Sequence, residues 1–231
     1  MIYLNQTAQI IARDAMDEIK KFIKPGVTER EIRKEVECLL IKKGSTSFWY
    51  HGIGGLVHVG RRTLVSQGGR GYRVTDTAVR ENDIITLDLA PTVDGAWGDF
   101  ARTIFVQDGV VVDESEVKDE RYRYALECEY ALHQYVMETA TPDMTFEELY
   151  LRVNSKLGEM EAYNLDYSGN WGHSVNILQE ERVYIKPRYH EKLGDYVGFT
   201  FEPHLQCRDY SFGIKRENIY YFGHDGKVKE L

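Results

Sequence analysis

The 231-residue sequence predicts an α+β fold, mostly antiparallel sheet with covering helices, built as two related halves. Three observations predict it. Two pairs of helix patterns are each followed by a strand-rich stretch. Asp94-Gly95 separates two runs rich in Ile, Leu, Thr and aromatics, a strong hairpin signal. A single offset carries Pro25, Thr28, Glu31, Ile32 and Leu40 onto Pro142, Thr145, Glu148, Leu149 and Leu157, which indicates an internal duplication. The expected organisation is one unit over 1–231, with pseudo-repeats at about 7–112 and 122–231.

The elements follow in order. Ile10, Ile11, Ala15, Ile19, Phe22 and Ile23 have helical spacing over 7–23, and Lys24-Pro25-Gly26 stops that helix. Thr28 and Glu31 have capping-box spacing, and Ile32, Val36, Leu39 and Leu40 form the buried stripe behind them as far as Gly44. Residues 83–91 and 97–106 read as the hairpin strands. The acidic stretch 113–120 reads as a solvated connection. Helices at 122–140 and from Thr145 repeat the first pair, and 196–205 with 211–222 read as a second strand pair.

Composition narrows the function. Hydrophobic content of 42% and charged content of 29% are those of a globular protein, and no apolar run approaches a membrane span. Twenty-nine Lys and Arg against 37 Asp and Glu leave a formal charge of −8, which excludes the basic footprint of a nucleic-acid binder or a polybasic membrane anchor. Cys38, Cys128 and Cys207 are odd in number and widely spaced, as expected of inert thiols in a reducing cytoplasm.

Position decides what the acidity is for. With the turn centred on Asp94-Gly95, Asp88 faces Ala101. Centred one residue earlier, Asp88 faces Asp99. Either way parity puts both carboxylates on one face of the sheet. Two like charges there are costly to desolvate without a cation, and Arg102 lies on the other face, so a metal is the better partner. Glu202 follows the apolar run Phe199-Thr200-Phe201, and Glu217 lies beside Lys215 and Arg216.

The order Asp88, Asp99, His173, Glu202, Glu217, with LDLAPTVDGAWGDFART around the first two, GHS, FEP and the final KREN, resembles the methionine aminopeptidase, prolidase and creatinase metallopeptidases of family M24. The resemblance covers almost the whole chain. It implies the pita-bread fold, two α+β halves around one metal site. It also implies two divalent ions (Mn, Co, Fe or Zn) with Asp88 on one, His173 and Glu202 on the other, and Asp99 and Glu217 between them. By the same resemblance the ions acidify a water and polarise an amide carbonyl, with Glu202 as the catalytic proton acceptor.

The expected activity is hydrolysis of an amide in a peptide or N-terminal residue, as in an aminopeptidase or Xaa-Pro peptidase. The partner is then a peptide or small amide substrate, without nucleic acid or membrane, and a homodimer is compatible with this reading. Two accessory histidines of the family are out of register. Gly69 to Leu87 holds no His, and Glu180 stands where the second is expected. His51, His58, Glu180 and Arg70 are the substrate-binding candidates, with Arg61, Arg62 and Arg73 as further guanidinium candidates. The missing histidines make a creatinase-like or recruited small-molecule C–N hydrolase the first alternative. A non-catalytic pita-bread interaction module is the second.

Overall fold

The computed structural model describes residues 2–176 and 178–231. It opens with α1 (Ile2–Ile19) and α2 (Glu29–Lys42). The first helix ends at Ile19 rather than Ile23, because the Ile19 carbonyl accepts from the amides of both Phe22 and Ile23 and tightens the chain ahead of Pro25. The second starts where expected: the Thr28 side chain accepts from the Glu31 amide, and the Glu31 carboxylate accepts from the Thr28 amide.

Strands β1 (Ser47–Phe48) and β2 (Gly55–Val59) precede the hairpin. The two expected hairpin strands divide into β3 (Asp83–Leu89), β4 (Pro91–Val93), β5 (Ala96–Trp97) and β6 (Phe100–Gln107), with β7 (Val110–Val112) beyond. Asp94 and Gly95 both have positive φ, 49° and 84°, the backbone a two-residue hairpin turn needs. Asp88 is opposite Ala101 and Thr92 opposite Trp97, so the turn centres on Asp94-Gly95. The ladder breaks at Asp99 for a definite reason. The buried Gln9 side chain of α1 donates to the Asp99 carbonyl (2.9 Å) and accepts from its amide (2.8 Å), so neither group is left for a strand neighbour.

The second half again opens with two helices and continues in strands. Helices α3 (Glu120–Thr139) and α4 (Phe146–Leu157) flank Pro142, and Thr145 with Glu148 forms another reciprocal cap. The sheet strands are β8 (Ala162–Asn164), β9 (Phe199–Phe201), β10 (His204–Cys207), β11 (Ile214–Lys215), β12 (Asn218–Phe222) and β13 (Val228–Glu230). Here too the two expected strands divide, at Glu202-Pro203 and at Arg216-Glu217. Pro203 has no amide to give a ladder. Phe201 is opposite Asn218 and His204 opposite Lys215, so the register places Glu202 across from Glu217 in the gap. Glu217 is drawn out of that ladder by Ala101 of β6: its amide donates to the Ala101 carbonyl at 3.0 Å, joining the two hairpins edge to edge.

Alternation sorts the core. Ile85, Leu87 and Leu89 of β3, with Phe100, Ile104 and Val106 of β6, pack under α1 and α2. Ile84 and Phe105 face the other way, into the core of α3, α4, Phe199, Phe201 and Trp171. Asp88 has the parity of Ile84, which turns it towards the second half. No helix among the described residues is long and apolar enough to cross a membrane.

Candidate metal centre

Five side chains singled out by the sequence, Asp88, Asp99, His173, Glu202 and Glu217, line one compact cavity of about 100 Å³ between the two hairpins. They lie at two depths. Asp99, His173 and Glu217 are almost fully buried, and one donor atom of each falls within 4.8 Å of the others. Asp88 and Glu202 are nearer the opening, with side chains 18% and 19% exposed.

The electrostatics of the deep trio fit a cation. Asp99 Oδ2 and Glu217 Oε1 are buried without a hydrogen-bond partner, a costly arrangement for carboxylates. Burial, and then the Asp88 charge, push the Asp99 carboxyl well above the usual range. Burial followed by the charges of Asp99 and Glu202 does the same to Glu217, and burial raises Glu202. The His173 ring offers one free nitrogen to the cavity. Its Nδ1 donates to the Ser174 carbonyl (3.0 Å), which leaves the Nε2 lone pair facing Asp99 Oδ2 at 3.4 Å. Burial and the Arg182 charge lower this imidazole to about 4, so it is neutral at ordinary pH.

Local structure explains each placement. The His173 amide donates to Thr200 Oγ1 and its carbonyl accepts from the Thr200 amide, which fixes the loop against β9. Trp49 stacks on Trp97 (centroids 4.7 Å apart), packs edge-on to His173 and donates its indole N–H to the Gly98 carbonyl. Arg102 keeps away from the carboxylates, as parity requires. It lies over the Phe100 ring and donates to the Ala101 and Glu217 carbonyls, bracing both hairpins.

Three residues at the site were not singled out from sequence. Gln9 holds the Asp99 backbone from the far side. Arg182 sits among the rings of Trp49, Tyr50 and Tyr184, with its charge turned to the cavity. Lys215 is the third. Its Nζ lies 2.6 Å from Asp88, 3.0 Å from Glu202 and 3.9 Å from Glu217. Burial acts against its charge, but those three carboxylates together raise its pKa well above the usual value. The available signal was parity: two residues before Glu217 on a strand, Lys215 shares its face.

The substrate candidates separate. His51, Arg70 and Glu180 line an outer vestibule of about 690 Å³ that shares Tyr50, Arg182 and Tyr184 with the inner cavity. His58 is elsewhere, buried on β2 in a small side cavity with Asp88, His204 and Lys215. Its Nε2 is unpartnered, and burial lowers the ring to about 4. Arg62 pairs with the buried Glu29, and Arg73 donates to the Arg70 and Tyr72 carbonyls, so neither is directed at the site.

Residues 4–223 match metallopeptidase family M24, and the chain belongs to that family. It is 32% identical to methionine aminopeptidase 1 of Bacillus subtilis over 89 residues, covering 38% of this chain and 34% of that protein. The uncharacterized peptidase YqhT of the same organism is 30% identical over 105 residues, 46% of this chain and 28% of that one. The matches therefore span about a third of the curated relatives' length. Among solved structures, the X-Pro aminopeptidase from Thermotoga maritima superposes with a TM-score of 0.76 at 22% identity, over 99% of this chain and 59% of that one. The prolidase from Pyrococcus furiosus gives 0.78 at 21%, over 99% and 62%. The fold is the pita-bread α+β fold that the sequence led us to expect.

One prediction follows from the contact between α1 and Asp99. Gln9→Ala removes both hydrogen bonds that hold the Asp99 backbone while leaving every donor atom of the cavity in place. Affinity for Mn(II) is expected to fall roughly 10–100-fold, the usual scale for a partner that orients a ligand. Isothermal titration of the metal-stripped protein measures it, and an unchanged affinity would show that Asp99 needs no such brace.

Proposed function

We infer that this chain is a metal-dependent hydrolase that cleaves an amide bond in a peptide or N-terminal residue. The observation that carries this reading is the buried, unpartnered pair of carboxylate oxygens on Asp99 and Glu217, beside a correctly oriented His173. A divalent cation held there would polarise an amide carbonyl and acidify a water.

The chain's own groups supply the rest. Asp99, His173 and Glu217 provide a mixed oxygen and imidazole donor set that suits Mn, Co, Fe or Zn. Glu202, opposite Glu217 and nearer the opening, accepts the proton of the attacking water and passes it to the departing nitrogen. Arg182 and Arg70 stand where a substrate carboxylate would enter, and the Trp49 and Tyr50 rings exclude bulk water on one side. The same reading takes 1–231 as one catalytic unit, whose halves at about 7–112 and 122–231 derive from a duplication. The matching capping boxes support it.

A second reading has its own support. His173 is the sole imidazole among the described residues lining the inner cavity, and two guanidinium groups stand in the vestibule. Both features suit a small anionic amide better than a long peptide. Metal-stripped protein reconstituted with Mn(II), Co(II) or Zn(II) and assayed on dipeptides, Xaa-Pro peptides and small carboxylated amides separates the two. Chelator-sensitive release of an N-terminal residue supports the peptidase. Turnover of the small amides alone selects the second reading. No metal-dependent turnover on any of them would sink both.

A further inference from the structure

The family resemblance implies two ions, yet this chain brings a cation of its own into the cluster. Lys215 Nζ makes charge-assisted hydrogen bonds to Asp88 at 2.6 Å and to Glu202 at 3.0 Å, and stands 3.9 Å from Glu217. Asp88 is the carboxylate that the two-ion arrangement would give to the first ion alone. Lys215 Nζ is the only side-chain partner of Asp88 among the described hydrogen bonds and ion pairs.

The lysine is firmly seated. Its backbone amide donates to Thr103 Oγ1 (2.8 Å), and the Thr103 hydroxyl donates back to the Lys215 carbonyl (3.1 Å). Pairing of Lys215 with His204 sets its register, and parity with Glu217 aims it into the cavity. Arg182, the other cation lining that cavity, makes no ion pair among the described residues and lies among aromatic rings instead. Among the described residues Lys215 is therefore the one cation paired with the shallow carboxylates, while the deep oxygens of Asp99 and Glu217 have no hydrogen-bond partner.

We propose that Lys215 stands in for one of the two ions, so that the centre takes a single divalent cation per chain. Asp99, His173 and Glu217 hold it, with Glu202 beside it. A second dication on Asp88 would sit within a few ångströms of the ammonium, where like charges in a partly desolvated cavity repel strongly. With the Arg182 guanidinium at the cavity wall, one dication and one ammonium then balance the four carboxylates.

This proposal rests on the metal-centre reading above, and stoichiometry tells the two apart. Metal-stripped full-length protein is titrated with Mn(II), and bound metal is counted by plasma mass spectrometry with electron paramagnetic resonance of the same samples. The wild type is expected to bind one equivalent, with the six-line signal of an isolated Mn(II). Lys215→Met is expected to bind two, with the broadened signal of a coupled pair, while Lys215→Arg stays at one. Two equivalents on the wild type would overturn the proposal and leave the metal centre standing. So would a folded Lys215→Met that still binds one. No Mn(II) bound by the wild type would overturn both. The wild-type count needs no variant to fold.

Discussion

Glu202→Gln is expected to lower kcat by roughly 10²–10⁴-fold, the range for losing a positioned general base, while the protein still binds its metal. The two depths of the cavity separate the roles. Asp99, His173 and Glu217 are buried and converge on one point, so a cation held by them does not depend on Glu202. Glu202 is more exposed, and its backbone is fixed by donation to the Trp171 carbonyl at 2.9 Å. The amide preserves volume and that backbone bond but cannot accept a proton from water. Lys215 keeps Asp88 as a partner, so the substitution strands no ammonium. Steady-state kinetics on the best substrate, with metal content measured alongside, tests this. Full activity with full metal occupancy would remove Glu202 from the chemistry. Loss of both would make it chiefly a ligand.

Gly172→Ala is expected to damage fold and site together. Gly172 has φ +142°, a conformation L side chains rarely adopt, and an added Cβ would lie 2.2 Å from the Thr200 carbonyl oxygen. The chain cannot retreat, because the Gly172 carbonyl accepts from Ile185 while the next amide donates to Thr200 Oγ1. Relief must come from moving β9, which carries Glu202 at its end. A cost of about 3 kcal/mol follows from strain plus collision. For a chain of this size that is a fall of about 10 °C in Tm. Mn(II) affinity should fall with it, since His173 is the adjoining residue. Gly169 is the control: its φ is +73° but nothing lies within 4 Å of an added Cβ, so Gly169→Ala should cost only about 1 kcal/mol. Thermal unfolding monitored by circular dichroism compares them, and equal shifts would refute the steric argument.

The sequence was most informative where local rules act alone. Capping boxes at Thr28 and Thr145 depend on residues three apart, and both are formed. The Asp94-Gly95 turn left two registers open, Asp88 opposite Ala101 or opposite Asp99, with both carboxylates on one face in either case; the structure takes the first. Strand continuity was not readable. The strands expected at 83–106 and 196–222 all break near the cavity, because Gln9 takes the Asp99 backbone groups, Pro203 lacks an amide and Ala101 captures Glu217. Only Pro203 announces itself locally.

Lys215 shows the same division. In sequence, Lys215-Arg216-Glu217 resembles a solvated ion pair, and Arg216 indeed turns away to Glu129 and Glu114. Alternation places Lys215 and Glu217 on one face, but whether that face meets water or Asp88 depends on where β6 lies. Residue types, their order and their parity were thus determined by the sequence itself: four carboxylates and one imidazole, with Asp88 and Asp99 on the same face. Tertiary structure alone decided which charge answers them. That ammonium comes from a strand 127 residues away from Asp88, and only the edge-to-edge joining of the two hairpins brings it within 3 Å, where burial makes the contact strong.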